Sequence, residues 1–359
     1  MVRQLLVERE ELSVAEAVKR MVAVQAQHPA SPYVALFNRV VGFDPGELDA
    51  AFTAGVVVKA TLMRMTLHAV HADEHAAFRA AIVPMMNSAQ FQAAFAAGGV
   101  SEEEAHALGV ELAAFAKEPR LGAEFEEWLN QRLGTGGTEM WWAMRAVAPL
   151  LHAPTGGPWS FGQRPAFIAA SSSPAAPARG LELVTRRYLE GFGPASIADI
   201  AQFVKVTRGR VKTAVAALDL EELEGPDGKI LYDVPGGARP DDDLEVPPRL
   251  MAMWDSVLLA YDDRGRVVPP EYKRVITRNN GDVLPTLLAD GYVAGVWRPV
   301  EDGIEATAFR KLPAAAWKGL RAEARDLFKI LRERDPRVYR RYDYWWKHLP
   351  AAEVKVLKG

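Results

Sequence analysis

One pattern recurs three times along the chain, three short helical segments and then a β-hairpin, and it confines the fold to a string of small α+β units. The first copy is the easiest to read. Ser13-x-x-Glu16 has the form of a capping box: the serine hydroxyl accepts an N–H of the first turn, the glutamate reaches back, and Val14, Val18 and Met21 follow at helical spacing. His28 precedes Pro29 and is biased away from helical angles, Ser31-Pro32 offers an N-cap and a first helical residue, and Asp44-Pro45 repeats that signal. After Gly55, the run Val56-Val57-Val58 and the segment 66–70 predict two strands around Met63-Arg64-Met65. Three helices and a hairpin make a winged helix.

The second copy is less regular. Ser101-Glu-Glu-Glu104 opens one helix, 121–133 and 140–151 give two more, and Thr155-Gly-Gly-Pro158 reads as a wing turn. The third copy has helices over 181–190, 196–203 and 207–218, the helix-turn-helix arrangement, with Pro226-Asp227-Gly228 as its wing turn. Linkers are expected at Ser171-Ser-Ser-Pro-Ala-Ala-Pro177 and Gly236-Gly-Ala-Arg-Pro240, so the boundaries fall at 1–90, 91–178 and 179–240 for three winged helices and 241–359 for a C-terminal region. In that region strands over 283–289 and 292–297 flank Asp290-Gly291, a two-residue hairpin signal, and a charged helix over 314–333 closes the chain.

Composition removes whole classes of function. The 359 residues contain no cysteine, which excludes disulfides, thiolate nucleophiles, Cys-bound zinc and Fe–S clusters. Charges within Met1-Val-Arg-Gln-Leu-Leu-Val-Glu-Arg-Glu10 interrupt the apolar core a signal peptide needs, and no run of about 18 uncharged apolar residues occurs, so a cytoplasmic protein without membrane contact is expected, nucleoid-associated when bound to DNA. A net charge of −3 excludes an evenly basic coat, so any nucleic-acid site must be a local patch or a channel. No Gly-x-Gly-x-x-Gly, Walker loop or Gly-x-Ser-x-Gly elbow is present, and no cofactor is expected. His68-Ala-Val-His71-Ala-Asp-Glu-His75 invites a metal, but read as a strand it sends residues three apart to opposite faces, so no metal is expected.

Lys205, Arg208, Arg210 and Lys212 cluster at the start of the helix that would enter a groove; they fit phosphate contact and equally a solvated helix face. Basic residues over 318–347 alternate with acids and read as solubilising. Trp141-Trp142 and Tyr344-Trp345-Trp346 could stack on bases, although aromatic residues more often fill cores. Gln25 and Gln27 are, taken alone, two polar residues at a helix end.

Three stretches change that reading. Val24-Gln25-Ala26-Gln27-His28-Pro29-Ala30-Ser31-Pro32-Tyr33, Thr61-Leu62-Met63-Arg64-Met65-Thr66-Leu67-His68, and Val268-Pro269-Pro270-Glu271-Tyr272-Lys273-Arg274 with Asn280-Gly281-Asp282-Val283-Leu284-Pro285 resemble, in order and separation, the recurring blocks of the AlkZ/YcaQ DNA glycosylases. The resemblance implies three tandem winged helices around a concave channel for duplex DNA, with a hairpin that probes the duplex. It implies a Gln-x-Gln catalytic element in the AlkZ-like branch, here Gln25 and Gln27, where the YcaQ-like branch has Gln-x-Asp. Two departures stand out: Met65, where glycine is usual after the arginine, and Val58-Lys59-Ala60-Thr61, where Arg-Thr-Trp is commoner.

The expected chemistry is hydrolysis of N-glycosidic bonds. A purine alkylated at N7 or N3 is cationic and departs neutral, so no strong acid is required; two amides can position the water and stabilise the oxocarbenium-like sugar. An open channel would extend this to bulky adducts or interstrand crosslinks. Arg64, His68, Arg274 and Arg278 are the expected further DNA contacts and Asp290-Gly291 the expected probe, in a monomer needing no protein partner. The rival readings are a non-catalytic winged-helix transcriptional regulator and a protein-interaction scaffold.

Overall fold

The helices of the first unit begin close to where the sequence places their caps. Val14–Arg20 is capped by Ser13, which forms a reciprocal capping box with Glu16 of the first turn, and Pro45–Thr53 by Asp44, whose carboxylate accepts from Gly46 N–H at 2.8 Å. The helix between them, Ser31–Phe37, starts one residue early, with Ala30 as N-cap and the Ser31 hydroxyl turned instead to Tyr339 Oη at 3.3 Å. Strands Val24–Gln25, Val57–Thr61 and Leu67–His71 form an antiparallel set in which Gln25 pairs with His68 and His68 with Ala60. This is a computed structural model, and it describes residues 1–82, 88–172, 175–226, 228–241 and 243–359.

The order helix, short strand, helix, helix, strand pair returns over Glu102–Phe115, Arg120–Leu121, Gly122–Leu133, Gly137–Val147, Leu150–Ala153 and Ala166–Ala169. The expected helix over 140–151 ends at Val147, because Ala148 precedes Pro149 and takes the extended conformation, and the strand starts at Leu150. The two sets join into one six-stranded sheet through Lys59 opposite His152, each unit contributing its strands in mirrored order. Two helices unforeseen in the sequence, Ala72–Ile82 and Ala89–Ala97, separate the units. The first corrects the reading of the histidine segment: the strand stops at His71, and His75 lies on the helix. Among the described residues no three His, Asp or Glu side chains are grouped as metal ligands, and no helix is long and apolar enough to cross a membrane.

Helices Pro177–Phe192, Ile197–Val204 and Arg208–Ala216 follow, then strands Glu221–Glu224 and Ile230–Asp233, with Ala195 bridging to Tyr232. Within the anticipated turn Pro226-Asp227-Gly228, Asp227 lies outside the described residues, as do Ser173 and Pro174 of the first linker. The C-terminal region is a five-stranded antiparallel sheet of Arg249–Leu250, Thr286–Ala289, Tyr292–Val300, Gly303–Ala308 and Glu353–Lys358, in that order. Asp290 and Gly291, at φ 55° and 76°, make the two-residue turn. Helix Ala314–Arg334 does not close the chain: a 3-10 segment Arg340–His348 follows, and the last strand returns to pair with Gly303–Ala308.

One apolar core runs through the first unit, the third and the C-terminal region and takes in Trp159 of the second, while residues 91–150 with Phe167 form a separate one. Met65 packs against both. Buried ion pairs fasten the larger body: Arg39 meets Asp255 through two bonds of 2.9 Å, Arg3 meets Asp233 at 2.6 and 2.7 Å, and Arg249 and Arg9 share Glu323. The N-terminal segment thereby clamps the first unit to the third.

Candidate active site

Gln25 sits on a two-residue strand, and Gln27 lies just past its end. The two differ in exposure, Gln25 at 3% and Gln27 exposed. Gln25 Oε1 lies 3.4 Å from Arg64 Nη2 and 3.5 Å from Thr66 Oγ1, while Gln27 Oε1 accepts from Leu67 N–H at 3.3 Å. Both carbonyl ends are held by the turn between the hairpin strands, which fixes where each amide can point.

That turn is unusual. Arg64 and Met65 stand at φ 55° and 58°, left-handed positions that glycine occupies without penalty and other residues adopt at a cost. The side chain of Met65, packed on both cores, compensates for the conformation. The bend turns the Arg64 guanidinium inward, where it donates to Phe203 O at 3.1 Å, lies 5.0 Å from the Phe203 ring centroid, and reaches His68 Nε2 at 3.3 Å. Since arginine only donates, His68 Nε2 accepts, and Nδ1 carries the proton toward Thr66 O at 3.0 Å. His68 is fully buried, and burial followed by the Arg64 charge holds its pKa well below 6.5, so it is neutral. Burial, with Arg264 nearby, lowers Arg64 to about 10, and it stays protonated at neutral pH.

His68 is buried and Arg64 half-buried; Arg64 lies beside the Gln25 amide and links it to the His68 ring. Gln27 opens onto a cavity of about 190 Å³ that the sequence could not reveal, lined by Thr61, Met65, Leu67, Trp142, Arg145 and His152. Trp142 and Arg145 come from helix Gly137–Val147 of the second unit. Arg145 is partly desolvated, which lowers its pKa, and its Nε has no hydrogen-bond partner. No carboxylate lines this cavity among the described residues. His28 packs edge-on against Tyr339 at 4.7 Å between ring centroids, and burial lowers its pKa to about 4.

The other candidates fall into separate places. Lys205, Arg208 and Arg210 line one shallow hollow with Gln202 and Asp262; Lys205 caps its helix at φ 68°, Arg208 reaches Asp262 at 3.9 Å, and Lys212 is exposed one turn on from Arg208. Arg274 is exposed on helix Pro270–Ile276. Arg278 lies over Trp345, 4.1 Å from the ring centroid, with Tyr344 at 5.4 Å. Asp290 is exposed, but Gly291 is buried against Val246 and Met1, so the turn does not project freely. Trp141 belongs to the core, stacked on Phe125 at 4.3 Å, and Trp345 is 3% exposed.

The structure is similar to that of Streptomyces sahachiroi DNA glycosylase AlkZ, with a TM-score of 0.76 at 21% identity over 92% of this chain and 94% of that one, which shows a shared fold. A comparison with curated proteins finds no match. The sequence profile of the family described as DNA glycosylase AlkZ-like matches residues 18–330, most of the chain, and so places it among DNA glycosylases. The protein belongs to the AlkZ-like family.

Proposed function

We propose that this enzyme hydrolyses the N-glycosidic bond of purines alkylated at N7 or N3 in double-stranded DNA, and that its channel also admits bulky adducts and interstrand crosslinks. Three tandem winged helices, 1–90, 91–178 and 179–240, with the C-terminal region 241–359, form that channel in a monomeric protein. The observation that carries the reading is the pair Gln25 and Gln27: two neutral amides held by one turn, with Gln27 lining a cavity that has no carboxylate among the described residues.

A neutral site suits a charged leaving group. As the C1′–N bond lengthens, its electrons return to the cationic base, which departs neutral, while positive charge develops on the sugar. Gln27, exposed at the cavity, holds the water that attacks C1′ and gives up its proton to solvent. The Gln25 and Gln27 amide dipoles, fixed before the reaction, stabilise the oxocarbenium-like sugar. Arg64 and His68 act through Gln25. Lys205, Arg208, Arg210, Lys212 and Arg274 bind phosphates, and Arg278, with Tyr344 beside it, lies where a strand could be followed. The buried glycine of the Asp290-Gly291 turn gives no support to a probing role there.

Incubation with a duplex carrying 7-methylguanine tests the proposal. Release of the free base, with undamaged guanine left in place, is the expected result; sequence-specific binding without release would favour a regulator. The basic helix is tested separately. Replacing Lys205, Arg208 and Lys212 together by alanine should weaken binding to any duplex sequence and flatten the plot of log affinity against log salt by about 0.9 for each phosphate that is no longer neutralised. An unchanged slope in a fluorescence-anisotropy titration would remove this helix from the interface.

A further inference from the structure

The cores of the first and second units stay separate, and the sheet joint between Lys59 and His152 leaves a cavity of about 480 Å³ at the seam. Its walls are mainly apolar, with Phe52, Val58, Leu151, Phe161 and Ile168 among them. Cavities of this size between packed units are where small ligands commonly bind.

Two polar side chains line it without adequate partners. Lys59 is 4% exposed, its Nζ lies 4.4 Å from the centroid of the Phe161 ring, and among the described residues no carboxylate comes within ion-pair distance of it. His75 is 2% exposed; its Nδ1 is 3.5 Å from Ser172 Oγ, and its buried Nε2 has no hydrogen-bond partner. A buried ammonium ordinarily has an anion beside it, and an aromatic face replaces only part of that interaction. Burial lowers the Lys59 amine to about 8, so it remains mostly protonated at neutral pH, whereas burial lowers His75 to about 4 and leaves it a neutral imidazole able to donate one N–H.

Lys59 and Gln25 point to opposite faces of the sheet, and His152 lines both the seam cavity and the Gln27 cavity. Paired residues of an antiparallel sheet share a face, so Gln25, His68 and Ala60 lie on one face while Val24, Ala69 and Lys59 lie on the other.

We propose that the seam cavity binds a small monocarboxylate with an apolar body, the carboxylate on Lys59 Nζ and His75 Nε2 and the body against Phe52, Phe161 and Ile168. One cation in a mainly apolar chamber matches a single negative charge better than a phosphate dianion. The binding stands on this geometry alone and does not depend on the glycosylase reading.

The test is calorimetric titration of the full chain at pH 7 with octanoate and biphenyl-4-carboxylate, alongside their neutral analogues 1-octanol and biphenyl-4-methanol. Expected are binding of the carboxylates at one site per chain and at least tenfold weaker binding of the alcohols. Lys59→Met should weaken carboxylate binding at least tenfold while melting no lower than the wild type, because it removes an unpaired buried charge. Ile168→Trp, which adds bulk to the chamber wall, should abolish binding of acid and alcohol alike and serves as the second variant if Lys59→Met folds poorly. Failure of both carboxylates to bind at millimolar concentration, equal binding of acids and alcohols, or unchanged binding in both variants would overturn the proposal.

Discussion

Gln27→Ala is expected to lower the single-turnover rate of 7-methylguanine release by about 100- to 1000-fold, the usual loss when one preorganised dipole is removed from the site of developing charge. Gln27 is the exposed member of the pair and lines the cavity, so its side chain can be removed without opening the core. Melting temperature and DNA affinity should stay close to wild type, placing the loss in the chemical step. Gln25→Ala should behave differently. Its amide is 3% exposed and lies against Arg64 and Thr66, so truncation leaves the Arg64 guanidinium short of an acceptor in a buried place and costs about 1–3 kcal/mol of stability besides the activity. Arg64→Met separates positioning from direct DNA binding. If Arg64 acts through Gln25, the variant should lose rate while keeping DNA affinity and its salt dependence; loss of affinity with an unchanged rate would make Arg64 a phosphate ligand. A Gln27→Ala enzyme that released the base at the wild-type rate would remove the amide pair from the mechanism altogether.

Local chemistry was the legible part of this chain. The capping box at Ser13 forms as its spacing requires, Ser101 caps the helix it was expected to open, and the Asp290-Gly291 turn takes the left-handed angles its residues favour. What the sequence hid was decided by packing. Helix Ala72–Ile82 has neither a cap signal nor a strong apolar stripe, and it forms because it lies against Pro177–Phe192, whose Arg187 reaches back to Glu74 at 2.6 Å. Strand Glu353–Lys358 alternates charged and apolar residues with Val354 and Val356 half exposed, and only its place at the sheet edge makes that pattern a strand.

The candidate site divides in the same way. Gln25 and Gln27 were visible through a resemblance, because two glutamines alone carry no chemical signature. Trp142 and Arg145 reach the Gln27 cavity from another unit, and no sequence spacing announces that meeting. Arg64 and His68 read as basic residues near a wing, and the two left-handed residues that bring the Arg64 guanidinium to the Gln25 amide carry no signal in the sequence. The Met65 departure therefore belongs to the turn's geometry, where a longer side chain seals the boundary between two cores.

The second large effect should appear on acidification. Burial holds His28 and His75 at about 4 and His68 and His152 well below 6.5, so all four are neutral in the folded protein, whereas in the unfolded chain they titrate near 6.5. Below pH 6.5 the unfolded chain binds protons that the native state refuses, so the stability contributed by these groups is complete above that pH and is lost as pH falls toward 4. At pH 5 each of His28 and His75 accounts for a loss of about 2 kcal/mol, about 4 kcal/mol together, before His68 and His152 add to it. Glu74 opposes the trend, since burial raises its pKa and the native state takes up its proton more readily than the unfolded chain. Lys59, lowered to about 8, adds nothing in this window, because it is protonated in both states below neutrality. Urea midpoints at pH 7.5 and pH 5 should therefore differ strongly, and His75→Phe should remove about 2 kcal/mol of the difference. Equal midpoints at the two pH values would mean that these imidazoles reach solvent, and the tautomer assigned to His68, with the hold of Arg64 on Gln25 that depends on it, would fall with them.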